Sequence, residues 1–394
     1  MGHDLAEPLF DRKLRAQCHR NSPLSFLLCG IGDARHLWST LNLIMLQHKD
    51  PDNLHIPKEL HCTLVDLKPA SLARILIVLR LLSQLPPNEE FGAPAGEDLT
   101  WVIAYLYVGH VVPPFVHAAL SRTISDLIGV LEKNSPKNPF LEWVVMSEDT
   151  RTQVLQYLRL WSNPLDDLYR VENVRKLAAV SIHDVKTRRM EKDVMEKPAT
   201  PATCEEDEAI FDGFAVTPPP EPFIRRHEPQ IGRILERMGS KMRSSQERAR
   251  DADALDDYVN QHWKTNMTLI DLVWEAKKER NYHIEKPEGL EWTKLTSMDG
   301  EPVSLTPHIL GGMEPTPMPG RKGVIEILAA YFYVVGMSLR YIMRTSRLRV
   351  EVIAGEMTDT MERIRYSLLD GRAGKGSSVS FPQRFDRVHM SNIP

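Results

Sequence analysis

The chain reads as an α/β protein: a parallel sheet assembled from its two ends and interrupted by a large, mainly helical insertion. Three observations predict this. Ser25 to His36, SFLLCGIGDARH, runs from an apolar strand through a glycine turn into a helix. Leu60 to Leu85 repeats strand and then helix. The same grammar returns only at Leu348 to Ser391, after mostly helical periodicity from about Asn88 to Tyr341.

Taken in order, Met1 to Pro23 is polar and reads as a surface arm. Ser25 to Cys29 is a strand buried on both faces, and Gly30-Ile31-Gly32-Asp33 is the turn, with a helix entered at about Ala34. In that helix Leu37, Leu41, Ile44 and Met45 share one apolar face. Lys49 to Lys58 is a loop. Leu60 to Leu67 is the second strand, ending in Asp66, and Pro69 opens an apolar, buried helix that Pro86-Pro87 stops. Helical stretches follow at Trp101–His110, Phe115–Lys133, Thr150–Trp161, Ala254–Lys278 and Val324–Arg344. Glu191 to Pro222, with CEEDE and TPPPEP, is a linker-like surface segment, and Arg225 to Arg250 is a basic run that reads as a solvated helix face. Leu348 to Gly355 alternates apolar with Arg349 and Glu351, which predicts an edge strand with one wet face. Asp359 is placed as the N-cap of a helix over Thr360–Leu369, and Phe385 to Ser391 is a fourth strand. The expected units are 1–87, a helical insertion 88–345 and 346–394.

Composition narrows the classes. With 42% hydrophobic and 26% charged residues the chain can bury a core, and a net charge of -4 disfavours a generic nucleic-acid binder. Four cysteines without a C-x-x-C pair point to no disulfide framework and no metal site, and to reduced thiols in a cytoplasmic protein. Cys29 and Cys62 read as small core hydrophobes. Ile327 to Leu339 is too short an apolar run to span a bilayer, so no membrane partner is expected.

The candidate site collects the strand ends: Gly30, Gly32 and Asp33 after strand one, Asp66 at the end of strand two, Glu356 after strand three, and Asn392 behind strand four. In this order they resemble the S-adenosylmethionine-dependent methyltransferase type of Rossmann fold. The resemblance implies that Gly30, Gly32 and Asp33 line the amino-acid end of that cofactor, that Asp66 binds the ribose and Glu356 the adenine, and that Asn392 orients a methyl acceptor as the catalytic residue. The departures are specific. The third glycine of the nucleotide fingerprint is missing, with Arg35 in its place, and Phe26 and Leu28 stand where an acid and another glycine are usual. The sheet is expected to be incomplete at the C-terminus, as in a fragment of a longer protein.

A closer resemblance rests on CGIGDARHLWSTL, HCTLVDLKPASLARILIVLRLL and FDRVHMSNIP. These are similar to an uncharacterised methyltransferase-like domain of fungal proteins that often carry a MYND zinc finger, and of the N-terminus of dynein axonemal assembly factor 3. That resemblance implies a role in assembling protein complexes more than an established transfer reaction. The first expectation is therefore a methyltransferase-like interaction module that keeps a nucleotide-sized crevice and meets a protein partner through the helical insertion. The second is an active S-adenosylmethionine-dependent methyltransferase. Each site residue also has a plainer role: Asp66 shaping its turn, Asp33 pairing with Arg35, Glu356 as an exposed strand-end acid. A nicotinamide dehydrogenase is disfavoured by the missing glycine, and no hydrolase spacing is present.

Overall fold

The computed structural model describes residues 6–10, 14, 23–48, 57–86, 94–164, 167–176, 178–179, 205–239, 244–271, 323–345, 347–369, 372 and 381–390. Its main sheet has five strands, β1 (Leu24–Cys29), β2 (Glu59–Asp66), β4 (Val144–Met146), β6 (Arg347–Ala354) and β7 (Arg387–Met390), ordered β4-β6-β2-β1-β7. Every neighbouring pair in it is parallel. A separate two-residue ladder joins β3 (Val111–Val112) to β5 (Lys264–Thr265). β1 and β2 are buried almost throughout, which is why both read as continuous apolar runs. The two chain ends meet at β1, where Leu27 stands opposite Val388 of β7 and Thr63 of β2.

β6 is not an edge strand. It lies between β2 and β4, and Val144 to Met146 pair with Val350 to Val352. Its alternating charges are buried instead of wet. Glu351 accepts hydrogen bonds from Thr63 Oγ1 (2.8 Å) and Arg372 Nε (2.7 Å) and lies 3.3 Å from His61 Nε2. A polar residue inside a sheet is tolerated when its bonds are met within the protein.

One face of the sheet carries α1 (Arg35–His48), α2 (Pro69–Ser83) and α5 (Glu148–Ser162), together with α10 (Val324–Thr345) from the far end of the helical region. A single apolar cluster joins Phe26, Cys62 and Val350 of the strands to Leu106 of α3 (Pro94–Val108), Leu127 of α4 (Pro114–Lys133) and Phe332 of α10. α10 is long and apolar enough to cross a membrane, yet 67% of its most apolar window is buried against the protein. The opposite face is covered over Leu27, Cys29, Val65 and Ile353 by α11 (Met357–Arg365) and by Leu369 and Phe385.

Other expectations need correction. The described part of the N-terminal arm is no surface arm: Ala6, Phe10 and Leu14 are buried, and the backbone of Leu9 donates to Thr40 of α1. The acidic run in the expected linker begins a helix, α6 (Glu205–Phe214), while residues 191–204 lie outside the described set. The basic run is split among α7 (Glu221–His227), α8 (Pro229–Gly239) and α9 (Ser245–His262), and several of its cations are paired, such as Arg226 with Glu97 and Arg237 with Asp251. The helix expected to run to Lys278 stops at His262, because the chain turns there into β5 and Asn266 caps a short 3-10 turn. Glu356, not Asp359, is the N-cap of α11 and accepts from Asp359 N–H at 2.7 Å.

Candidate functional site

The glycine turn sits where β1, flanked by β2 and β7, reaches its carboxyl end. Gly30 and Gly32 have φ of +64° and +52°, a region glycine enters without strain, and Ala34 follows at +60°. Gly30 and Ile31 both donate backbone N–H to the carbonyl of Val65, at 2.9 and 3.2 Å. A Cβ on Gly32 would meet nothing closer than 3.8 Å, so the residue is demanded by the turn's backbone shape and not by a crowded neighbour. The helix starts at Arg35, one residue later than expected.

Asp66 is 8% exposed, and both of its oxygens are used: Oδ2 accepts from Gly32 N–H (2.9 Å) and Oδ1 from Lys68 N–H (2.8 Å). Burial raises its pKa, against the pull of those two bonds. The carboxylate thus stitches the turn after β1 to the turn after β2. Asp33 is clasped by the guanidinium of Arg35, with Nε 2.9 Å from Oδ1 and a terminal nitrogen 2.6 Å from Oδ2, and each side chain is 6% exposed. Its carbonyl accepts from Tyr107 Oη (2.6 Å) and Trp38 Nε1 (3.1 Å), which ties the turn to α3 of the helical region. Arg74, buried, binds the carbonyl of Leu106 at 2.8 Å and lies over the Tyr107 ring.

The strand ends therefore bring Gly30, Gly32, Asp33 and Asp66 together. Glu356 follows β6, where Gly355 N–H donates to the Asp66 carbonyl at 2.9 Å, but its side chain is spent capping α11. Asn392 lies outside the described residues. The rings of His36 of α1 and His389 of β7 lie with centroids 3.8 Å apart and planes tilted by 35°; burial and then the His389 ring lower the pKa of His36. Sequence reasoning missed Trp38, Tyr107 and His389 as parts of this end of the sheet. Tyr107 gives no local signal, since its partner Asp33 is brought to it only by packing. Cys29 and Cys62 are buried, with both thiols pushed up to about 12, which leaves neither a nucleophile.

The two acids at this end of the sheet are already engaged within the protein. The acid meant for a ribose accepts two backbone N–H groups, and the acid beside the turn is held by its own arginine. A cavity of about 620 Å³ lies elsewhere, between α4, α5 and α9.

Comparisons with curated proteins and with solved structures give no match. A family model described as a domain of unknown function (DUF4470) matches residues 1–105, a span that holds β1, β2, their helices and the glycine turn and ends within α3 at Tyr105. Over that span the chain is similar to a domain whose function is not known.

Proposed function

We propose that this protein is a methyltransferase-like Rossmann module that serves as a protein-interaction or complex-assembly unit, meeting its partner through the helical region. The observation that carries the reading is the closed state of Asp66. Asp66 is 8% exposed and each of its oxygens already accepts a backbone N–H, so a ribose diol would have to reach a buried carboxylate and share it with the two turns it pins. The resemblance to an assembly-associated domain, with its fungal MYND and dynein-assembly relatives, points the same way.

A second reading, S-adenosylmethionine-dependent methyl transfer, is favoured by the strand order β6-β2-β1-β7. This follows the 3-2-1-4 succession of dinucleotide-binding sheets, with the glycine turn at the strand where the order reverses. Calorimetric titration of S-adenosylmethionine into the full chain and into Asp66→Ala separates the two. The module reading expects no saturable heat up to about 1 mM from either protein. Micromolar binding by the parent chain, lost in the variant, would establish the enzyme reading in its place.

A further inference from the structure

Strand alternation divides the sheet face beneath α11 into two halves. Toward the carboxyl ends it presents Leu27, Cys29, Val65 and Ile353, which α11 covers. Toward the amino ends the same face presents Ser25 of β1, His61 and Thr63 of β2, and Arg349 and Glu351 of β6, with His61 opposite Ser25 on one side and Arg349 on the other. Most of the polar groups there are already spent. Thr63 and Arg372 hold Glu351, His61 Nε2 lies 3.3 Å from the same carboxylate, and Ser25 donates to Asp386. Arg347, at the exposed start of β6, pairs with Glu59 at 3.9 Å. Arg349 is the exception. It is 8% exposed, yet its guanidinium has no ion pair and no hydrogen bond among the described residues. Burial lowers its pKa, and the other charges that act on it, Arg347 and Glu59, oppose each other. A guanidinium withdrawn from water without a counter-charge costs stability until an anion is supplied to it.

We infer that Arg349 anchors a binding site for a small oxyanion, a phosphate or carboxylate group whose two oxygens meet the guanidinium fork beside His61. Parallel N–H donors match paired oxygens, and Glu351 cannot serve because Arg372 already takes both of its oxygens. The site lies toward the amino ends of the strands, away from the glycine turn at their carboxyl ends. Its failure would therefore leave the reading of that crevice untouched.

Thermal unfolding of the full chain at neutral pH, in sodium phosphate, sodium acetate and sodium chloride of equal ionic strength, reads the site. Phosphate at about 20 mM is expected to raise the melting temperature saturably by about 2 °C over chloride. An equal rise in acetate assigns a carboxylate ligand, and a rise confined to phosphate assigns a phosphate. Arg349→Met keeps the apolar stem and removes the charge. It should melt no lower than the parent in chloride and lose the phosphate increment, since any general salting effect acts on both proteins alike. Arg349→Lys, a point charge without the fork, should keep less than half of the increment. No phosphate increment in the parent, an increment that survives Arg349→Met, or a lower melting temperature of Arg349→Met in chloride would each overturn the proposal.

Discussion

Asp66 and Glu351 are both buried carboxylates in adjacent strands, and their surroundings drive them in opposite directions. For Asp66 burial dominates and the acid is raised, so the folded state holds its proton more tightly than the unfolded chain does. Its contribution to stability is therefore full at low pH and declines as pH rises from the unfolded carboxylate value of about 3.9. For Glu351 burial also pushes upward, but the bonds from His61 and Arg372 win and bring it down to about 2. Its contribution is present above about 4.3 and is lost as pH falls toward about 2. Urea unfolding across this range should show Glu351→Gln with a flattened acid limb and about 3 kcal/mol less stability at neutral pH, because Arg372 is left buried beside an uncharged partner. Asp66→Ala should cost about 2 kcal/mol through two N–H groups left without acceptors, and it should remove the opposing slope. For Asp66 and Asp33 both position and the plainer role, shaping a turn and pairing with Arg35, were legible in the sequence. Two glycines bracketing one residue demand an unusual backbone, and Asp33 can reach Arg35 within one turn. That Asp66 would turn inward to Gly32 depends on two strands lying side by side.

At the scale of elements, α10 and its glycine carry the clearest test. An alanine at Gly336 would gain helix propensity, yet its Cβ would collide with Leu85 Cδ1 and lie 3.3 Å from Leu82 Cδ2. Leu85 and Leu82 are buried and cannot swing into solvent, so Gly336→Ala should destabilise by about 1 kcal/mol in thermal unfolding instead of stabilising. Tyr107→Phe tests the tie between α3 and the glycine turn. It should cost about 1 kcal/mol and speed amide exchange at Gly30 to Ala34, while Trp38 still donates to the Asp33 carbonyl. Long apolar helices such as α10 and α2 were readable because their periodicity is sustained over many turns. β4 was not: three residues carry no period, and that omission turned β6 into a false edge. Pairs of arginine and glutamate on a strand read as wet from composition alone, because a partner as remote in sequence as Arg372 leaves no local trace.

For the whole molecule, the central claim is that the head and tail of the polypeptide form one parallel sheet, with the helical region packed against the same core. Among the described residues β7 contributes Arg387 to Met390 to that sheet, so its seat beside β1 is the part of the fold most open to direct test. Asp386 supports it by accepting from Ser25 N–H at 2.7 Å, just ahead of the ladder. Val388 is 47% exposed and can carry a nitroxide as Val388→Cys in a chain with Cys18 and Cys204 changed to serine. Paramagnetic broadening of backbone amides then reads the distance from the tail to every strand. The account predicts strong broadening at Leu27, Leu28 and Cys29 and weaker broadening across β2. Sharp signals at Leu27 to Cys29, with broadening confined to residues near position 388 in sequence, would contradict it.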